Sequence, residues 1–166
     1  MTSNSSRPRI SVVIPTFNCA DLLEMALDAL CRQTLTPNEF EVVVVDDGSA
    51  DHTDRVVAGF AERLPVHYAR QANAGISAAK NHGLSLSRAL IVLFLDDDDV
   101  TDPNYLAEHL STHEQHPEPH YAVLGYTDFT DEVVASPLMD FVTEAGAYLF
   151  SYATLAEGAE LDFRYF

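Results

Sequence analysis

The chain has little positive charge: 9 lysines and arginines stand against 26 aspartates and glutamates, a formal net charge of -17 over 166 residues. A field of that sign repels phosphate backbones and anionic lipid heads, which excludes nucleic acid as a general partner. Cysteine is scarce too. Cys19 and Cys31, both in or beside a helical apolar pattern, imply no disulfide framework and read as reduced thiols packed as small hydrophobes. Long hydrophobic runs are missing: the longest, Ala89 to Leu95, is far too short to span a bilayer, and "MTSNSSRPR" has no apolar core for a secretory signal. These absences predict a soluble, cytoplasmic domain with no transmembrane segment in this chain, and leave open peripheral membrane association of a longer protein.

What is present is globular. Hydrophobic residues make up 47% and charged ones 21%, enough for one domain with a real core. From Ile10 onward, apolar runs rich in β-formers alternate with helical patterns, the order of an α/β fold with an open, mostly parallel sheet and helices on both faces. "ISVVIPTF" reads as the first strand. "ADLLEMALDALCRQ" follows as a helix with Leu22, Leu23, Ala26, Leu27 and Leu30 inward and Glu24, Asp28 and Arg32 outward. "FEVVVVDD" is a strand buried on both faces, since its four valines run without alternation. Then come a helix in "DRVVAGFAERL", a short strand "VHYAR", a Gly-opened helix in "QANAGISAAKNHGLSLSR", and "ALIVLFL", whose unbroken apolar character suggests the centre of the sheet. Pro103 stands at the favoured first-turn position of a helix in "PNYLAEHLSTHEQ". "YAVLGYTDF" reads as a further strand, and the looser pattern beyond Asp131 leaves a helix near Ala145 to Ala156.

Ligands of open α/β sheets bind outside the C-terminal ends of the strands. Three strand ends here are polar: "PTFN" at 15–18, "DDGS" at 46–49 and "DDDD" at 96–99. In "DDGSADHT", Gly48 permits a positive φ and Ser49 or Asp51 caps the next helix, a structural role as good as a functional one. Asp47 can accept a hydrogen bond from a ring N–H such as a uracil imide. Four consecutive carboxylates are costly: two like charges ~5 Å apart repel by roughly 0.8 kcal/mol in water and more near an apolar surface. Their oxygen-only chemistry suits Mg²⁺ or Mn²⁺, which would remove the repulsion and bridge to a diphosphate; the bland alternative is a solvated acidic loop. Lys80 supplies a local counter-charge for an anionic ligand, or else pairs structurally with Asp46 or Asp96. His109, His113 and His116 lack the Glu of a zinc-protease signature, and "HLSTH" reads as an exposed helix face.

Together "SVVIPTFN", "VVVVDDGSADHT", "NAGISAAKNHGL" and "LFLDDDDVTDPNYL", in order and spacing, resemble the family 2 glycosyltransferases of the GT-A fold, which transfer sugars from nucleotide-diphospho-sugars. The resemblance implies that Pro15, Thr16 and Phe17, with Asn18 and Asp46 beside them, line the nucleotide and that Asp47 holds a uracil or equivalent ring. It implies that Asp96 or Asp97 lies near the ribose, that Asp98, with Asp96, ligates the metal, and that Asp99 matches the acid following the Asp-x-Asp element. Asn73, Gly75, Lys80 and Asn81 match a segment approaching the donor, with Lys80 where members commonly carry Arg. The expected reaction is an inverting, metal-dependent transfer from a UDP-linked donor to a hydroxyl of a saccharide, lipid-linked or protein acceptor. The family's Glu-Asp pair, which supplies the base, does not occur, nor does its Gln-x-x-Arg-Trp element, since there is no tryptophan. Asp128, Asp131 and Glu132 are the candidates for the base. The expected organisation is a disordered tail over 1–9, a nucleotide-sugar-binding domain over 10–131, and the truncated start of an acceptor-side region over 132–166.

Two other functions fit parts of the pattern. Asp96-x-Asp98-x-Val100 matches the nucleophile motif of haloacid-dehalogenase-like phosphatases, although that family places it on the first strand. The missing base also admits a non-catalytic nucleotide-sugar-binding module.

Overall fold

A computed structural model describes residues 7–127. The chain divides into a unit ending at Pro117 and a second beginning at Glu118. The first holds eight elements: β1 (Ile10–Thr16), α1 (Ala20–Leu30), β2 (Phe40–Asp46), α2 (Thr53–Phe60), β3 (Val66–Arg70), α3 (Ile76–Leu86), β4 (Ile91–Phe94) and α4 (Tyr105–Gln115). The strands form one parallel sheet in the order β3-β2-β1-β4. The chain thus builds outward from β1 to β3, then returns to the other side of β1, and the strand order reverses between β1 and β4.

Every residue of β1 and β2 is buried. On one face Val12, Ile14, Val42 and Val44 pack with Leu23, Leu27 and Leu30 of α1, Val57 and Phe60 of α2, and Leu106 and Leu110 of α4. On the other, Val13, Val43 and Val45 meet Ala79 of α3. Gly83 sets how closely α3 lies: a Cβ there would stand 2.3 Å from Val13 Cγ1. The unbroken valine run therefore signals two covered faces, as expected from the sequence.

Several expectations are corrected. Among the described strands β4 pairs with β1, and within the apolar run Leu90 and Phe94 are exposed. Leu22 is exposed, because it lies about 100° from Leu23 around the helix, outside the stripe of Ala20, Leu23, Ala26, Leu27 and Leu30. Pro103 occupies the turn ahead of α4, with Asn104 as N-cap, and Asp102 Oδ1 accepts the Asn104 N–H at 2.8 Å. Gln33 fixes that start: its Nε2 donates to the Asp102 carbonyl at 2.7 Å, and its Oε1 accepts the Leu106 N–H at 3.0 Å. His109 is buried rather than exposed, edge-on to Tyr105 with ring centroids 4.7 Å apart.

A buried polar cluster sits at the N-terminal ends of β1 and β2. Glu41, 1% exposed, accepts from Ser11 Oγ at 2.6 Å and from the backbone N–H and Nε of Arg88 at 2.7 and 2.6 Å. Burial pushes its carboxyl up, but those donors outweigh burial and hold it below the ordinary range. In the second unit, residues 121–127, expected to begin a strand, take no regular conformation. The boundary at Asp131 and the helix near Ala145 to Ala156 lie outside the described residues.

Candidate active site

In a parallel sheet all C-terminal strand ends open onto one edge, and a reversal of strand order leaves a crevice there. "PTFN" ends β1 and "DDDD" follows β4, so the two flank the reversal; "DDGS" follows β2 on the other side of β1. The register aligns Thr16 with Asp46, and Asp47 N donates to the Thr16 carbonyl at 2.9 Å. Asn18 is the one non-glycine with a positive φ among the described residues, at 54°. Its N–H donates to Ser49 Oγ at 2.9 Å and its Oδ1 accepts the Ala50 N–H at 2.7 Å. Asp51 bridges both helix starts, accepting from Ala20 N at 3.0 Å with Oδ2 and from Thr53 N at 3.1 Å with Oδ1. Ser49 is thus a loop clasp, and Asp51 takes the helix-end role.

Asp46 and Asp47 are both buried but tied differently. Asp46 accepts from Ser49 N at 2.7 Å and Tyr68 hydroxyl at 2.5 Å, with Arg70 Nε at 3.6 Å. Burial raises its pKa, and Tyr68 and Ser49 more than reverse this. Asp47 Oδ1 accepts from Gln71 Nε2 at 2.8 Å and Ala74 N at 2.9 Å, while Oδ2 accepts Gly75 N at 2.8 Å. Gln71 first, then these backbone groups, holds the Asp47 carboxyl below the usual range. An ionised carboxylate offers about four acceptor positions, so among the described residues Asp47 keeps one free, on Oδ2. Gly48 allows this arrangement: its φ is +90°, and a Cβ would meet the Asn73 backbone nitrogen at 3.1 Å.

The acid loop carries the repulsion anticipated for it. Burial, then the charge of Asp98, raises the Asp97 pKa, partly offset by the adjacent Thr16 hydroxyl. Burial, then Asp96 and Asp98, does the same at Asp99. Thr16 Oγ1 is buried and finds no hydrogen-bond partner of regular geometry among the described residues. Lys80, the chain's single lysine, pairs with Asp96 at 3.2 Å, not with Asp46, and its ammonium stands 5.9 Å from the Phe94 ring centroid. Among the described residues no three acidic, imidazole or thiol groups converge as a metal cage. That suits Mg²⁺, which is commonly held by one or two carboxylates with substrate phosphates and water completing the shell. The oxygen-only donors fit such a cation, which would also relieve the repulsion that raises the Asp97 and Asp99 pKa values.

Pro15, Thr16, Asn18, Asp46, Asp47, Lys80 and Asp96 to Asp99 therefore gather at one sheet edge. Phe17, Asn73, Gly75 and Asn81 are exposed, with Gly75 at φ +88° as the N-cap of α3. Asp128, Asp131 and Glu132 lie outside the described residues. A surface depression of about 600 Å³ lined by Glu24, His52, Arg55, Phe60 and Arg63 shares none of the strand-end residues. Gln71, Tyr68 and Arg70 escaped the sequence reading. The alternation of "VHYAR" could have placed Tyr68 and Arg70 on one face of β3, whereas nothing in the sequence points Gln71 at Asp47.

The Glycosyl transferase family 2 model matches residues 11–156. The chain belongs to that family. It is 42% identical over 125 residues to validoxylamine A glucosyltransferase of Streptomyces hygroscopicus subsp. limoneus, covering 74% of this chain and 27% of that protein. S. aureus TarS 1-349 in complex with UDP-GlcNAc matches with a TM-score of 0.64 and 27% identity, over 70% of this chain and 37% of that one. The mannosyltransferase PcManGT from Pyrobaculum calidifontis, in complex with GDP-Man and Mn²⁺, matches with a TM-score of 0.60 and 32% identity, over 64% and 32%. The α/β GT-A fold expected from the sequence is thereby established for this family 2 chain. The chain spans between a quarter and a third of the length of two validoxylamine A glucosyltransferases that it matches.

Proposed function

We propose that this family 2 chain binds a UDP-linked sugar at the β1/β4 crevice and is the donor-binding part of a glycosyltransferase acting on an acceptor hydroxyl. The observation that carries the reading is Lys80 held against Asp96 at 3.2 Å, one cation at the head of an acid loop. A diphosphate arriving there finds positive charge on an otherwise repulsive edge. The free acceptor on Asp47 Oδ2 takes the imide N–H of the base, and Pro15, Thr16, Phe17 and Asn18 line it. Asn73, Gly75 and Asn81 approach the donor from the start of α3.

Asp98, with Asp96, would hold Mg²⁺ or Mn²⁺. When bound, that cation supplies positive charge to the leaving diphosphate. Asp97 stays by the ribose, and Lys80 stabilises the nucleoside diphosphate as it departs by single displacement. A carboxylate must take the acceptor proton; Asp128, Asp131 and Glu132 are the candidates, and the PcManGT and TarS complexes lend support only to donor and cation. The phosphatase reading has no support in the fold, because three β/α units precede the acid loop.

Thermal melting with UDP, GDP, CDP and dTDP, each with and without Mn²⁺, tests the proposal. The expected result is a Mn²⁺-dependent shift that is largest with UDP and is lost in Asp98→Ala. Equal stabilisation of Asp98→Ala, or no shift with any nucleotide, overturns it, and turnover of an aryl phosphate would favour the phosphatase instead.

A further inference from the structure

Gln71 and His82 form a line of hydrogen bonds that ends on Asp47. Gln71, just after β3, places Nε2 2.8 Å from Asp47 Oδ1, and its Oε1 lies 2.9 Å from His82 Nδ1 on α3. The direction of this chain of hydrogen bonds follows from its end. An ionised carboxylate only accepts, so the amide must offer it NH₂; the amide oxygen then faces His82 and also only accepts, so His82 Nδ1 carries a proton. His82 donates to Gln71, and Gln71 donates to Asp47. The neighbouring Gly83 lies so tightly on Val13 that α3, and His82 with it, has little room to shift.

The consequence is stereochemical. Gln71 and Ala74 fill both acceptor positions of Asp47 Oδ1, and Gly75 takes one on Oδ2. A single acceptor is left, on a carboxylate held at three points. It matches a base with one ring N–H donor and opposes a base that presents a ring acceptor, such as N3 of cytosine.

We propose that Gln71 and His82 are positioning residues for base selection, leaving Asp47 one outward acceptor so that a uracil-type imide is preferred over cytosine. This rests on the reading that Asp47 meets the base. Loss of Gln71 would free a second acceptor and let the carboxylate turn, while loss of His82 would leave the Gln71 amide free to rotate.

Titration calorimetry of the chain with UDP, CDP and pyrophosphate, each in saturating Mn²⁺, separates the alternatives, because pyrophosphate carries the diphosphate without a base. The expected result is a UDP preference over CDP in the native chain. It should fall about tenfold in Gln71→Ala and about threefold in His82→Ala. Pyrophosphate affinity should be unchanged, and His82→Asn, whose amide N–H can stand where Nδ1–H was, should restore the preference. A native UDP preference that survives both alanine variants overturns the inference and leaves the base contact of Asp47 standing. A native chain that does not distinguish UDP from CDP overturns the base contact and the inference with it. Parallel loss of pyrophosphate binding would also overturn it, reducing Gln71 and His82 to fold-keeping. If Gln71→Ala does not fold, the two His82 variants carry the same test.

Discussion

Asn18 and Ser49 join the loops after β1 and β2: the Asn18 N–H donates to Ser49 Oγ at 2.9 Å, and the Asn18 side chain accepts from Ala50 at 2.7 Å. Two segments 31 residues apart are thereby fixed as one rim. The rim depends on a left-handed residue, since only with φ at 54° does Asn18 present both groups to the neighbouring loop. Asparagine tolerates that conformation better than most side chains.

Substituting this residue should separate its two contributions. Asn18→Ala loses both the side-chain bond and the tolerance for positive φ, and should cost about 2 kcal/mol in denaturant melts. Asn18→Gly keeps the backbone conformation and should cost about 1 kcal/mol. Equal losses in the two variants would show that conformation contributes nothing.

Packing on the other face of the sheet is equally specific. Gly83→Ala places a methyl group 2.3 Å from a buried, β-branched side chain that cannot swing away. Overpacking of this kind should destabilise the chain by about 1–3 kcal/mol, read as a lowered denaturation midpoint. Because α3 also carries Lys80 and His82, UDP affinity should fall in the same variant. An unchanged midpoint would mean that α3 can lift from β1 at no cost.

His109 makes stability depend on mild acid. Burial, with His113 adding to it, pushes the imidazole down from 6.5 to about 4. Its folded pKa lies below its unfolded one, so the unfolded chain binds the extra proton between those values. The stability it allows is complete above about pH 6.5 and is lost as pH falls toward 4. The loss should be on the order of 3 kcal/mol, and His109→Leu should flatten that part of the melting curve against pH. A histidine facing solvent, as "HLSTH" suggested, would give no such slope.

What the sequence revealed and what it hid divide along a physical line. The valines of β2, Leu23, Leu27 and Leu30 of α1 and the three polar strand ends were legible because period, β-propensity and parallel topology are local or general properties. The burial of His109 and the bonds from Gln33 to α4 were not, since each depends on which element packs beside which. Glu41 and Arg88 are 47 residues apart and meet only after α3 has crossed the sheet. The relay from His82 to Asp47 is hidden for the same reason: it joins three elements, and no spacing in the sequence encodes it.

Asp97 in the acid loop should behave oppositely to Asp46 and Asp47 at the end of β2. Burial and the Asp98 charge raise the Asp97 pKa, so the folded chain holds that proton to higher pH than the unfolded chain does. Stability therefore falls as pH rises from the ordinary carboxylate range through the raised value, and at neutral pH the ionised group is a burden. Asp97→Asn should melt a few degrees higher than the native chain at pH 7 in EDTA, and the difference should vanish near pH 3, where both side chains are neutral. Adding Mn²⁺ with UDP should reverse the order, raising the melting temperature of the native chain more than that of the variant. A variant that is no more stable at pH 7 without cations would show that the four aspartates carry no strain for a ligand to relieve.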